Sequence, residues 1–399
     1  MGDATGPSPA TPVRLAAIAA VLVVVLAAAG GASAASPPDR YIVVLKDGVR
    51  DPGTVAREHA RRDAAQVRFV YSNAIKGYAA GIPAGRVDSV RADSRVAYVE
   101  RDGEAHAITT QANPTWGLDR IDQHALPLSG TFTYTNDGAD YNAAGDDVKA
   151  YIIDTGIRYD HVDFGGRAIF GVDKVTSGGS GADCNGHGTH VAGTTGGATY
   201  GVAKAVTLVS VRVLGCKGSG SWSQVIAGID WVTADHQAGQ PAVANMSLGG
   251  GANSAVDTAV RNSIADGVSY VIAAGNGNLL GIAQDACKFS PARVTEAITI
   301  SATNRTDKKA VWANFGSCVD WFAPGVGITS DWSSSATATN TISGTSMAAP
   351  HTTGVAALYL ESNPTASPAQ VAAALDAKTT KGIVGSSKTA KNNLLFTDY

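Results

Sequence analysis

Four residues carry the chemistry this chain could do: Ser346, His187, Asp154 and Asn276. Ser346 lies in Gly344-Thr345-Ser346-Met347-Ala348-Ala349-Pro350, where a glycine-rich loop turns into an alanine-rich helix and small neighbours leave the hydroxyl exposed. Free N–H groups and the positive end of the helix dipole favour a developing oxyanion beside such a nucleophile. Alone, the motif is an ordinary N-cap. His187, with Gly186 and Gly188 on either side, can face a cleft without crowding. Asp154 ends an apolar run, where a carboxylate is costly unless it accepts hydrogen bonds or holds a charged partner. Asn276, in Ala273-Ala274-Gly275-Asn276-Gly277, follows another such run, and turn chemistry alone accounts for Asn-Gly. It does not account for all four arising at strand ends or a helix start. His187 and His190 are three apart, yet the glutamate that accompanies paired histidines in zinc proteases is absent.

The elements that position them follow from periodicity. Residues 148–153, 206–214, 243–246 and 270–274 are predominantly apolar runs bounded by Gly, Asp and Asn, which predicts strands buried on both faces. Helices are expected at 186–196, 222–236, 255–266 and 348–360. This alternation predicts an α/β, doubly wound, mostly parallel sheet whose ligands bind at the carboxyl ends of the strands. Residues 36–108 differ, with strands at 39–45, 70–82 (around a turn) and 96–99 and helices at 55–64 and 87–92. That order suits a small ferredoxin-like α+β unit.

Composition sets the class. The 399 residues are 44% hydrophobic and 16% charged, as in a globular protein with a large core, and the formal net charge of −3 argues against a nucleic-acid partner. Arg14, the apolar run 15–29 and Ala32-Ser33-Ala34 predict a cleaved secretory signal over residues 1–34, too short to span a bilayer. The protein is therefore expected to be secreted, with no membrane attachment after cleavage. Cys184, Cys216, Cys287 and Cys318 then favour two disulfides over zinc, with three pairings open.

Asp154-Thr155-Gly156, His187-Gly188-Thr189-His190-Val191-Ala192-Gly193 and the Ser346 motif, in the order Asp, His, Ser, closely resemble the subtilisin-like serine proteases. An α/β-hydrolase has G-x-S-x-G and the order Ser, Asp, His, whereas the fifth position here is Ala348. Trp116-Gly117-Leu118-Asp119-Arg120-Ile121-Asp122-Gln123 and the cysteine positions resemble the proteinase K branch, especially aqualysin-type enzymes. The resemblance covers nearly the whole chain. It implies an inhibitory propeptide over 35–108 and a peptidase domain over 109–399.

The resemblance also implies roles. Ser346 is the nucleophile, His187 the base, Asp154 its partner, and Asn276 with the Ser346 N–H the oxyanion site. Substrate would pair as a strand with Gly218-Ser219-Gly220 and Ser247-Leu248-Gly249. The S1 pocket would be walled by Leu248, Gly249, Gly250, Ala273, Ala274, Gly275 and Phe289, with Trp222 flooring S4 or facing the core. Apolar or aromatic P1 residues are expected. Cys184 would pair with Cys216, and Cys287 with Cys318. Structural calcium would be held by Asp320 with the Thr295 and Ala297 carbonyls, and by Asp119, Asp122 and Gln123 with Ser129 and Thr131. The partners would be protein and peptide substrates and the propeptide itself, cleaved near Ile108 or Thr109, on a monomeric enzyme. A catalytically silent binding protein of the same fold is the competing class, although a binding module requires none of the four residues.

Overall fold

In a computed structural model of the chain, the described residues are 40–102, 109–135 and 148–399. The signal-like segment and the stretch 103–108 lie outside them. The chain divides into two compact units, Met1–Ala105 and His106–Tyr399.

The first unit contains β1 (Arg40–Leu45), α1 (Pro52–Asp63), β2 (Gln66–Tyr71), β3 (Gly77–Gly81), α2 (Val87–Arg91) and β4 (Val96–Arg101). The antiparallel sheet runs β2-β3-β1-β4, the expected small α+β arrangement. Alternation in β1 buries Tyr41, Val43 and Leu45 against Val55 of α1 and Val90 of α2. Asp51 caps α1 by accepting the Thr54 N–H at 3.0 Å. β2 begins at Gln66 rather than 70, because its exposed, polar first residues hide the strand period.

The second unit opens with β5 (Thr109–Ala112), α3 (Trp116–Ile121) and β6 (Thr131–Tyr134). Next come β7 (Lys149–Asp154), β8 (Ala168–Asp173), α4 (His187–Gly196), β9 (Thr207–Arg212), α5 (Trp222–Asp235), β10 (Ala242–Met246), β11 (Gly250–Gly251), α6 (Ser254–Asp266) and β12 (Ser269–Ala273). The chain continues through β13 (Phe289–Ser290), β14 (Ile298–Thr303), β15 (Trp321–Pro324), β16 (Ile328–Asp331), β17 (Thr339–Ile342), α7 (Thr345–Ser362), α8 (Pro368–Lys378), β18 (Thr380–Lys381) and β19 (Asn393–Leu394). The central sheet runs β18-β19-β15-β14-β12-β10-β7-β9-β8 and is parallel except for the β18–β19 pair.

Why β7 lies inside the sheet, between β10 and β9, is legible in its side chains. Ala150 and Ile152 enter one core with Val191 of α4 and Val355 of α7, while Tyr151 and Ile153 enter the other with Ile229 of α5 and Val260 of α6. A strand apolar at consecutive positions, as Ala150–Ile153 is, has two faces to bury, and each buried Ile contributes about 1.5–3 kcal/mol. β14 is equally buried but interleaves Thr and Ser, so it does not read as an apolar run. Two of its three hydroxyls are matched internally: Thr299 Oγ1 donates to Ala292 O at 3.0 Å and Ser301 Oγ to Asn314 O at 2.7 Å. After β7 the chain fills β8 and β9 on one side, then crosses to β10 on the other. That reversal opens a crevice at the carboxyl ends, where β7 delivers Asp154.

Candidate active site

Asp154 is fully buried, and its Oδ1 accepts the Thr155 N–H at 2.7 Å and His187 Nδ1 at 2.8 Å. Burial of the imidazole works against its charged form. The Asp154 carboxylate, by charge and by hydrogen bond, outweighs that with help from Asp183, so the His187 pKa is raised. Because Nδ1 is committed to a carboxylate, it carries the proton and Nε2 presents a lone pair. His187 opens α4, and the helix start is anchored by Asp183, which sequence reasoning missed. Its carboxylate accepts the N–H groups of Asn185, Gly186 and Thr189 and the hydroxyls of Thr155 and Thr189, all at 2.6–3.0 Å. Gly188 must be glycine, since a Cβ there would stand 2.2 Å from Gly156 O.

Helix α7 begins at Thr345, three residues earlier than its apolar stretch suggests, so Ser346 belongs to the first turn. Pro350 falls inside the helix and has no N–H for the Ser346 carbonyl four residues back. Ser247 Oγ supplies the missing donor at 2.8 Å, and Ser346 Oγ donates in return to Ser247 O at 3.1 Å. Ser247 Oγ is in turn held by Asn245 Nδ2 at 2.9 Å. Asn276 Oδ1 accepts the N–H and hydroxyl of Thr345 at 2.8 and 2.9 Å, which leaves Nδ2 as the free donor; a Cβ on Gly344 would lie 3.4 Å from it. Thr345 is thus a further site residue, and Ser247, expected only as part of a substrate edge, also holds the Ser346 backbone. Their partners lie far away in sequence, so no local motif marks them.

A cleft of about 760 Å³ gathers His187, Asn276 and Ser346 with Gly218, Ser219, Gly220, Trp222, Ser247, Leu248, Gly249, Gly250, Ala273, Ala274, Gly275 and Phe289. Apart from His187, no ionisable side chain among the described residues lines it. Trp222 lines the cleft, its ring lying where Gly250 leaves room, and also packs on the second core. Cys184 bonds Cys216 across 32 residues and Cys287 bonds Cys318 across 31. The first bond ties the approach to His187 to the approach to Gly218. Loops of this size are stabilised by roughly 3–4 kcal/mol in the chain-entropy picture.

The oxygen sets expected to hold calcium differ from one another. Asp320 Oδ1 accepts Lys391 Nζ at 2.8 Å and Oδ2 accepts the Thr299 N–H at 2.9 Å, so an ammonium already meets this carboxylate. Asp119 closes a loop by accepting the Ser129 and Gly130 N–H groups, both at 2.9 Å. Gln123 Oε1 shares the Ser129 N–H at 2.9 Å, and the Ser129 and Thr131 hydroxyls face each other at 2.9 Å. Asp122 keeps a buried Oδ1 with no partner, and burial, with the nearby Asp119 charge, holds its carboxyl up at about 6. A buried carboxylate oxygen with no partner among the described residues is the kind of ligand a hard cation would take.

Comparison with known proteins agrees with this geometry. Residues 145–395 match the Subtilase family and residues 40–107 the Peptidase inhibitor I9 family. The chain is 54% identical to an extracellular serine proteinase of Thermus sp. (strain Rt41A), over 89% of this chain and 84% of that one. It is 48% identical to alkaline serine exoprotease A of Vibrio alginolyticus, over 83% of this chain and 60% of the relative. The crystal structure of a cold adapted subtilisin-like serine proteinase superposes with a TM-score of 0.67 at 48% identity, covering 71% of this chain and 98% of that one. The chain belongs to the subtilase family, a serine endopeptidase with an I9-type inhibitor unit ahead of its peptidase domain.

Proposed function

We propose that the protein is a secreted endopeptidase of broad specificity, with apolar or aromatic P1, made as a precursor that processes itself. Ser346 Oγ attacks the scissile carbonyl as His187 Nε2 takes its proton; His187 then returns that proton to the leaving amine, and water repeats the cycle on the acyl-enzyme. Asp154 holds the tautomer and stabilises the imidazolium. The observation that carries this reading is the 2.8 Å Asp154–His187 bond in an arrangement whose lone pair, nucleophile and free amide donor border one cleft. In the resting site Ser346 Oγ donates to Ser247 O rather than to His187, so the attacking hydrogen bond forms as substrate displaces it. The uncharged cleft wall supports the P1 preference. Hydrolysis of denatured casein, blocked by a serine-directed phosphonate, is expected. Neither would occur in a catalytically silent binding protein.

Asn276→Ala tests the oxyanion assignment. A kcat lower by about 100 to 1,000-fold with KM nearly unchanged is expected, because Nδ2 faces charge that exists only in the transition state. A loss confined to KM would instead make Asn276 a ground-state binding residue.

The segment that follows β4, up to the expected cleavage near Ile108 or Thr109, acts in this reading first as substrate and then as inhibitor by adding a strand to the two backbone edges of the cleft. Calcium stabilises the fold, held by the Asp122 set and by Asp320 with the Thr295 and Ala297 carbonyls where it displaces Lys391. Millimolar calcium is expected to raise the melting temperature over chelator, since a ligand at a hundredfold excess over Kd stabilises by roughly 2.7 kcal/mol. Lys391→Met is expected to widen that difference by removing the competing ammonium. Coincident melting curves with and without calcium in both proteins would leave no structural site.

A further inference from the structure

Outside the cleft, between α4 and β16, two carboxyl groups meet without a donor between them. Asp331, the last residue of β16, is fully buried, and neither of its side-chain oxygens has a hydrogen-bond partner among the described residues. Asp163 is buried beside it, and its oxygens accept the N–H groups of Thr199 and Tyr200 at 2.9–3.4 Å. A Cβ placed on Gly197 would lie 2.3 Å from Asp163 Oδ2 and 3.1 Å from Asp331 Oδ2, so both carboxyls occupy one pocket. His161 does not supply the donor. Its Nδ1 is 3.4 Å from Asp331 Oδ1, but that nitrogen accepts the Asp163 N–H at 3.3 Å while Nε2 reaches Ala338 O at 3.0 Å. With Nδ1 already accepting the Asp163 N–H, His161 turns no hydrogen toward Asp331.

Acceptors from three residues converging in a buried pocket are incompatible unless one carries a hydrogen. Asp163 already accepts two backbone N–H groups whereas the oxygens of Asp331 accept none among the described residues, so the hydrogen is placed on Asp331. We propose that Asp331 is a protonated positioning residue whose carboxyl hydrogen is shared with Asp163 and clamps β16 onto α4, the helix that begins with His187. Two contacts transmit the clamp. Cβ atoms on Gly193 and Gly186 would stand 2.6 Å from Asp331 Oδ2 and 2.3 Å from the Trp332 ring, so consecutive residues press on the helix near its end and at its start. Between them, His190 Nε2 bonds Ile328 O at 3.0 Å.

The surrounding charges fit this reading. Burial first, then the Asp163 charge, push Asp331 up to about 8, with Arg167 acting in the opposite direction. The other ionisable groups facing the pocket are Tyr200, raised by burial and by both carboxylates, His190, held down by burial to about 4, and Lys204 near Asp163. Below about pH 8 the clamp is closed. Above it the second negative charge repels Asp163 and β16 loosens from α4.

The sign of the pH dependence follows from proton counts. Above about pH 4 the unfolded chain has released this proton, whereas the native state keeps it until about pH 8. Stability from this group is therefore full in acid and lost as pH rises through that window. Asp331→Asn keeps an N–H donor for Asp163 and cannot ionise. The ratio of unfolding constants, wild type to variant, is expected to grow about tenfold per pH unit between about pH 5 and pH 7 and to level off above about pH 8. Rested on His187 as base, the proposal adds that kcat/KM of the wild type declines above about pH 8 while that of Asp331→Asn persists. If His187 is not the base, the stability arm still reads the shared proton. Should the variant not fold, infrared spectroscopy of the wild type replaces it: the carbonyl stretch of a buried protonated carboxyl is expected at about pH 6 and lost at about pH 10. Parallel pH profiles in the two proteins, or no such band at about pH 6, would overturn the proposal.

Discussion

Ser346→Ala is expected to yield a folded precursor with its N-terminal unit still attached and with turnover reduced roughly a millionfold, the size found when the nucleophile of the family's type enzyme, subtilisin, is removed. Stability should barely move, since the hydroxyl makes one hydrogen bond, to Ser247 O at 3.1 Å, worth about 0.5–1.5 kcal/mol. The Ser247 bond to the Ser346 carbonyl, which replaces the one Pro350 cannot make, remains in the variant because it uses the backbone. Function and fold are thus separable at this position. Two measurements check it: the mass of the product from a protease-deficient host, and a melting curve within a few degrees of the intact enzyme. A product at mature size would mean that another protease does the processing, and an activity loss of less than about a hundredfold would remove Ser346 from the nucleophile's role.

The expectations about the fold that held were those written in local sequence. His187 and Ser346 each sit beside small residues, which leave a side chain accessible, and Asp154 ends the apolar stretch of β7, so local sequence marked where these side chains lie. The apolar runs located β7, β9, β10 and β12, because strands covered by helices on both faces have no polar side to show. Less legible were groups whose meaning is a partner far along the chain. Ser247 and Ser346 are 99 residues apart, and Lys391 meets Asp320 across 71. Asp331 is the extreme case: it reads as a polar residue entering the Ser-rich segment 333–335, and only the packing of β16 on α4 buries it. The second calcium set illustrates the converse, since Asp119 matches a ligand position in sequence yet receives backbone N–H groups in the fold.

Asp154→Asn is expected to lower kcat by roughly ten-thousandfold and to move the acid limb of the pH profile to lower pH. The amide can lie in two ways, and both fail. With its oxygen at the present Oδ1 position it still accepts from Thr155 N–H and His187 Nδ1, but its NH2 then occupies the place where Oδ2 is buried with no partner. With the NH2 turned toward His187 it donates to Nδ1, which forces the proton onto Nε2 and leaves no base facing Ser346. In either orientation the negative charge that stabilises the imidazolium is gone. The direction of the pH shift follows from the same balance. Burial lowers the His187 pKa and Asp154 is the main influence raising it, so without the carboxylate burial prevails and the pKa falls. Since the neutral imidazole is the working form, wild-type activity disappears as pH drops through the raised value, and the variant's small residual activity should persist to lower pH. In stability the sign is reversed: the raised pKa makes the protonated pair a stabilising contact below the unfolded histidine's value of about 6.5, and that contribution is lost as pH rises through the folded value. The variant should lack it, so its melting temperature should lose the acid-side gain attributable to this pair. A kcat loss under about tenfold with an unmoved acid limb would mean that Asp154 only buttresses the strand end and that the base acts without it.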